Sequence, residues 1–187
     1  MRNGIRKAIR RNQYHSNAGA IESMRKRFSR DAGPDLDQNA VAVDVGCPSG
    51  NPGPVGWRVT DMRGGIIFES PVYSNGSNNI GEFLAIVYGL RYAVDHNIDR
   101  VYSDSRIALK WVSQRDCRTN IHLERDDFLM VEIRKALEWL SANHKEIARA
   151  HFWSTRNWGE NPADYGRKFR KAPNRLDYGC MEHLREI

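Results

Sequence analysis

Three short apolar runs follow one another with no helix between them, and a long amphipathic segment comes directly after the third. The runs are AVAVDVG (40–46), GWRVTD (56–61) and GGIIFESPVY (64–73), each bounded by Gly, Pro, Asn or Asp. They read as three consecutive strands joined by turns. In the segment SNNIGEFLAIVYGL that follows, Ile80, Phe83, Leu84, Val87 and Leu90 recur at helical spacing, and the asparagines ahead of them offer side-chain oxygens for an N-cap. A helix is therefore predicted over about 79–96. Glu82 is out of place in it: a carboxylate in the first turn, one residue before Phe83, where the helix turns toward whatever it packs against.

The rest of the chain alternates. IDRVYSD reads as a fourth strand and SRIALKWVSQ as a short helix, followed by the polar connection RDCRTNIHLERD. In DFLMVEIRKALEWLSANH, Phe128, Leu129, Ile133, Ala136, Leu137 and Leu140 mark a strong amphipathic helix. EIARAHFW then reads as a fifth strand and ENPADYGRKFRKA as a helix with Pro162 in its first turn. The order β-β-β-α-β-α-α-β-α is an α/β layout, a mixed sheet covered by helices.

A chain of 187 residues, 40% of them apolar, can bury one substantial core. That core belongs to residues 39–171. Residues 1–38 are a basic extension that ends in a linker at Gly33-Pro34, and 172–187 form a short tail. The formal charge of +6 is concentrated in the extension, at Arg6, Lys7, Arg10, Arg11, Arg25, Lys26, Arg27 and Arg30. Such a tail either attracts a polyanion through counterion release or simply keeps the chain soluble. With only Tyr14 and Phe28 as aromatics, it lacks the rings a duplex-stacking module needs. The widely spaced Cys47, Cys117 and Cys180 suggest neither a disulfide framework nor a metal knuckle. With no long apolar run and no apolar segment after the basic start, the expectation is a soluble, cytoplasmic monomer without a membrane span.

The acids stand out on this map. Asp44 lies among valines in the first strand, where a charge is costly unless compensated. Asp104 ends the fourth strand, Glu82 opens the helix after the third, and Asp164 sits early in the last helix. Parallel neighbouring strands bring their C-terminal ends together, so all four carboxylates can converge on one sheet edge. Taken singly, Glu82 and Asp164 could complement helix dipoles, and Asp104 could cap the helix beginning at Ser105. Four acids on one face, however, repel one another unless cations lie between them. Hard oxygen ligands without a His or Cys cluster suit Mg²⁺ or Mn²⁺.

DVGCPSGNPGPVGW with Asp44, NNIGE with Glu82, YSDS with Asp104 and NPAD with Asp164 together closely resemble type 1 ribonuclease H, over about residues 39–171. The resemblance implies a ribonuclease H-like fold: a five-stranded mixed sheet, three antiparallel strands followed by parallel ones, flanked by helices. It also implies hydrolysis of the RNA strand of RNA/DNA hybrids by two Mg²⁺ ions, leaving 5′-phosphate and 3′-hydroxyl ends. Asp44 would bridge both ions, Glu82 and Asp104 would hold the one on the leaving-group side, and Asp164 the one that holds the attacking water. Asn51, Asn78 and Asn79, with Glu82, would read the 2′-hydroxyl in the minor groove. Ser77 would meet a DNA phosphate and Arg106 the RNA. Asn51 and Asn78 could instead merely shape a turn and a cap.

Some features depart from that family's pattern. Val45 replaces the customary Gly, and the link from Asp44 to GNPG is one residue longer. The loop FWSTRNWGENPAD holds no His of the kind linked to product release, so Glu160 is the candidate substitute. The basic helical protrusion of some relatives is replaced by a shorter segment carrying Arg115, Arg118, His122 and Arg125. Trp111, Trp153 and Trp158 could border the substrate or pack in the core. Two other readings remain at this level: a catalytically silent nucleic-acid binder of the same fold, and a structure-selective DNA nuclease.

Overall fold

The computed structural model describes residues 36–165, apart from 49 and 126. All but the last three residues of the basic extension, and the whole 172–187 tail, lie outside the described residues. Six strands run β1 (Ala40–Gly46), β2 (Gly53–Asp61), β3 (Ile66–Glu69), β4 (Tyr73–Gly76), β5 (Arg100–Ser103) and β6 (Ala150–Phe152). The helices are α1 (Asn78–Asp95), α2 (Arg106–Gln114), α3 (Phe128–Ala142) and the four-residue α4 (Thr155–Trp158). The sheet order is β3-β2-β1-β5-β6, antiparallel from β3 to β1 and parallel from β1 to β6. This is the expected ribonuclease H-like α/β sheet, three antiparallel strands and then parallel ones, flanked by helices.

The sixth strand comes from splitting the third apolar run. Pro71 has no N–H to give to a ladder. At the break Ser70 holds the chain to β2 twice, its amide donating to the Trp57 carbonyl at 2.9 Å and its hydroxyl accepting from the Trp57 amide at 2.8 Å. Beyond Pro71 the chain pairs with the start of β2, Val55 against Tyr73 and Gly53 against Gly76. The predicted fifth strand is also shorter than its apolar run. Glu146–Arg149 winds into a 3₁₀ turn, closed by an Arg149–Glu146 ion pair at 2.7 Å, and only Ala150–Phe152 reaches β5.

Central β1 is buried along most of its length, as a strand covered on both faces should be. Its alternation sends Val43 and Val45 toward α1, which meets them with Gly89 and Gly81; a Cβ on Gly81 would lie 2.2 Å from Val45. Asp44 therefore projects to the other face. There Ala40, Tyr102 and Trp153 form a second core, with Leu36, Met62 and Trp158 against it. Trp111 is buried edge-on to Phe83, so all three tryptophans in question pack in cores. Among the described residues no helix is long and apolar enough to cross a membrane.

Candidate active site

Three elements bring three acids to one place. Asp44 stands near the C-terminal end of β1, Asp104 just past the end of β5, and Glu82 on α1. Because β1 and β5 are parallel neighbours, their C-terminal ends share one sheet edge. One carboxylate oxygen from each of Asp44, Glu82 and Asp104 lies within 4.8 Å of the others. Asp164 lines the same pocket, of about 430 Å³, together with Asn78, Ser105, Thr155, Glu160 and Asn161.

The simpler roles for Glu82 and Asp104 are taken by other residues. Ser77, not an asparagine, caps α1: its hydroxyl accepts from the Ile80 amide at 3.3 Å. Glu82 therefore lies beyond the first turn, too far in to serve the helix dipole. The cap of α2 is Ser105, accepting from the Ala108 amide at 3.2 Å, which leaves Asp104 without a capping role. Asp164 closes a turn, its amide donating to the Asn161 carbonyl at 2.9 Å, and does not lie within a helix.

Glu82 is only 3% exposed. Burial pushes its carboxyl well above the usual range, Asp44 and then Asp104 add repulsion, and a hydrogen bond from the Ser103 hydroxyl at 3.3 Å opposes the rise. Asp104, at the pocket mouth, is also raised, first by partial loss of water and then by Asp164, against a backbone hydrogen bond that lowers it. Both shifts come first from burial, and repulsion from neighbouring carboxylates adds to each.

Several supporting residues carried no sequence signal of their own. Ser103 donates to Glu82 and accepts from the Ser105 amide at 3.1 Å, linking β5, α1 and α2 at the site. Buried Asn161 donates to the Val43 carbonyl and accepts from the Ala163 amide, both at 2.9 Å, which ties the NPAD turn to β1. Tyr165 gives its backbone amide to Asp44 Oδ2. Its hydroxyl is pushed up, mainly by burial and then by Glu69, and so stays a donor to Glu69. Thr155 reaches the pocket from α4. Asn161 could have been singled out from NPAD as an Asx-turn residue; the others become visible only through tertiary contacts.

The predicted groove readers separate. Asn51 Oδ1 accepts from the Asn78 amide at 2.8 Å, so the GNPG loop is fastened to the start of α1. Asn78 is exposed and lines the pocket, and Asn79 is half-buried. Ser77 is buried and occupied as a cap. The Arg106 guanidinium lies 3.8 Å over the Phe152 ring, exposed beside the site. Glu160, also exposed, is at the pocket wall.

No family model matches the chain. A ribonuclease H of Cupriavidus metallidurans is 27% identical over 128 residues, which is 67% of this chain and 77% of that protein. Among solved structures, an N-terminal RNase H domain from Mycobacterium tuberculosis, fused to maltose-binding protein, is 20% identical over 63% of this chain and 85% of its own, at a TM-score of 0.37. RNase H1 of the halophilic archaeon Halobacterium salinarum is 26% identical over 61% of this chain and 82% of its own, at a TM-score of 0.36. Those superpositions are loose, and the weight falls on the sequence relative and on the strand order described above. With acids on the ends of parallel β1 and β5 and on the helix between them, the chain is similar to a ribonuclease H in sequence and carries the mixed sheet that this resemblance implied.

Proposed function

We propose that the protein is a metal-dependent endoribonuclease that hydrolyses the RNA strand of RNA/DNA hybrids, leaving 5′-phosphate and 3′-hydroxyl ends. The observation that carries this reading is the convergence of Asp44, Glu82 and Asp104 within 4.8 Å, with Glu82 buried and raised. The donor set suits a hard divalent cation. Oxygens on opposite sides of an octahedral Mg²⁺ lie about 4.2 Å apart, so little closure of this cluster is required. Mg²⁺, with Mn²⁺ as the alternative, is the expected ion. When bound, such ions supply Lewis-acid charge at the scissile phosphate.

The chain's own residues do the rest. Asp44, Glu82 and Asp104 would hold one ion, and Asp44 and Asp164 the second. Ser103 keeps Glu82 pointed into the cluster. Asn78, whose amide donates to Asn51, and Asn79 would meet the minor groove, where the 2′-hydroxyl separates RNA from DNA. Arg106 offers positive charge beside Asp104, and Glu160 is the candidate for the missing loop His. The relative's name, ribonuclease H, supports the same substrate.

The test is cleavage of a labelled RNA/DNA hybrid beside matched RNA/RNA and DNA/DNA duplexes, with Mg²⁺ and with chelator. Metal-dependent cutting of the hybrid's RNA strand alone is expected. Binding without cutting would favour a silent binder, and cutting of DNA/DNA a structure-selective nuclease; either overturns the proposal.

A further inference from the structure

We propose that Tyr165, clamped by Arg58 and Glu69, is a positioning residue that sets the direction of the Asp44 and Asp164 carboxylates; this rests on reading those two acids as metal ligands. Asp44 faces Arg58 across the antiparallel β1–β2 pair, and cross-strand partners share a face of the sheet. Arg58 in turn faces Glu69 across β2–β3. Arg58 is buried, and its Nε and Nη2 donate to Glu69 Oε2 at 3.1 and 2.8 Å.

The Tyr165 ring lies under that guanidinium, 4.2 Å from its carbon, and the Tyr165 hydroxyl donates to Glu69 Oε1 at 2.9 Å. Both Glu69 oxygens are thereby engaged in holding Tyr165 to β2 and β3. What the clamp fixes is the backbone between Asp164 and Tyr165. The Tyr165 amide donates to Asp44 Oδ2, and a carboxylate that accepts an amide hydrogen no longer turns freely about its last torsion. Asp164 is the residue immediately before, so its side chain leaves the backbone at a point set by the same clamp.

Asn161 pins the other end of the turn to the Val43 carbonyl, next to Asp44 on β1. Removing the tyrosine side chain therefore leaves the Asn161 anchor in place, and the turn stays on the sheet while losing its exact aim. A buried arginine is an expensive way merely to fill space on a β-strand, where an apolar side chain would do. Aiming two acids is a role that an apolar residue could not perform.

The experiment uses the full chain as wild type, Tyr165→Phe, Tyr165→Ala and Glu69→Gln. Mg²⁺ alone is titrated without nucleic acid, by calorimetry and by the rise in Tm, and hybrid cleavage is followed against Mg²⁺ concentration. Loss of a residue that orients metal ligands typically weakens metal binding about 10- to 100-fold, so Tyr165→Ala is expected to raise the Mg²⁺ dissociation constant at least about tenfold. Tyr165→Phe, which keeps the ring under Arg58, and Glu69→Gln, which keeps an acceptor for the hydroxyl, should shift it less and in the same direction. At saturating Mg²⁺ the KM for hybrid should be unchanged. If Tyr165→Ala lowers Tm yet binds Mg²⁺ as wild type does, the residue is structural and the proposal is overturned. Should Tyr165→Ala not fold, wild-type Mg²⁺ affinity in both Tyr165→Phe and Glu69→Gln overturns it equally. A wild type that binds Mg²⁺ but cuts no hybrid would sink the nuclease reading, while the metal titration still decides this one.

Discussion

Glu82 is held in the folded chain with a pKa above its ordinary value, so at intermediate pH the native state binds a proton that the unfolded chain has already lost. Stability contributed at this residue is therefore present at low pH and declines as pH rises from the unfolded value through the raised native one. In chelator, Glu82→Gln should melt above wild type at pH 8, by about 2–4 °C for each kcal/mol of relieved repulsion, with the gap closing near pH 4. A melting series across that range checks it; a gap independent of pH would contradict the assignment. With Mg²⁺ present the same variant should lose activity. Asp44→Asn and Asp104→Asn remove metal ligands without adding positive charge. Since metal charge is worth several kcal/mol to the transition state, each should cut hybrid at least about 10³-fold more slowly while binding it nearly as well. Single-turnover cleavage beside a binding isotherm separates the two effects.

At the scale of elements, the departure at Val45 from the resembling family is accommodated by α1. The helix presents Gly81 to Val45 and Val55, and a Cβ there would meet their methyls at 2.2 and 2.6 Å. Alanine at a helical glycine ordinarily gains about 1 kcal/mol, but forcing it against two stiff β-branched side chains costs typically 1–3 kcal/mol. The clash should win, so Gly81→Ala is expected to destabilise the fold by roughly 1–2 kcal/mol, measured by denaturant unfolding. The NPAD turn tests a different link. Asn161→Ala leaves the buried Val43 carbonyl without its donor, a loss of about 1–3 kcal/mol, and should also weaken Mg²⁺ binding by freeing Asp164. Unchanged metal affinity in that variant would uncouple the turn from the site.

For the whole molecule, the net charge of +6 predicts that hybrid affinity falls steeply with salt. If the basic extension supplies part of it, replacing Arg6, Lys7, Arg10 and Arg11 by Gln in the full chain should flatten the log–log salt slope by up to about 0.9 for each phosphate that is no longer neutralised. Filter binding across a range of about 50 to 200 mM salt reads this directly, and the cleavage rate at saturating hybrid should not move. The long amphipathic helices and the succession of strands along the chain were legible because apolar periodicity is a local property that burial enforces, whereas the pairing of those strands was implied by the family resemblance. The four acids were legible because a carboxylate within or beside an apolar run has a cost that is visible without coordinates.

What the linear order could not show is which polar groups answer one another across the fold. The choice of Ser77 and Ser105 as caps, the break at Ser70-Pro71 that makes a sixth strand, and the winding of Glu146–Arg149 each depend on a partner elsewhere in the chain or on competition among neighbouring hydroxyls and amides. The link from Arg58 through Glu69 and Tyr165 to Asp44 joins residues up to 121 positions apart. Periodicity and composition thus determined the layers and the acids, because both follow from water avoiding apolar surface residue by residue. Only the tertiary structure decided how those acids are aimed, because hydrogen bonds and ion pairs are directional and depend on which strands become neighbours.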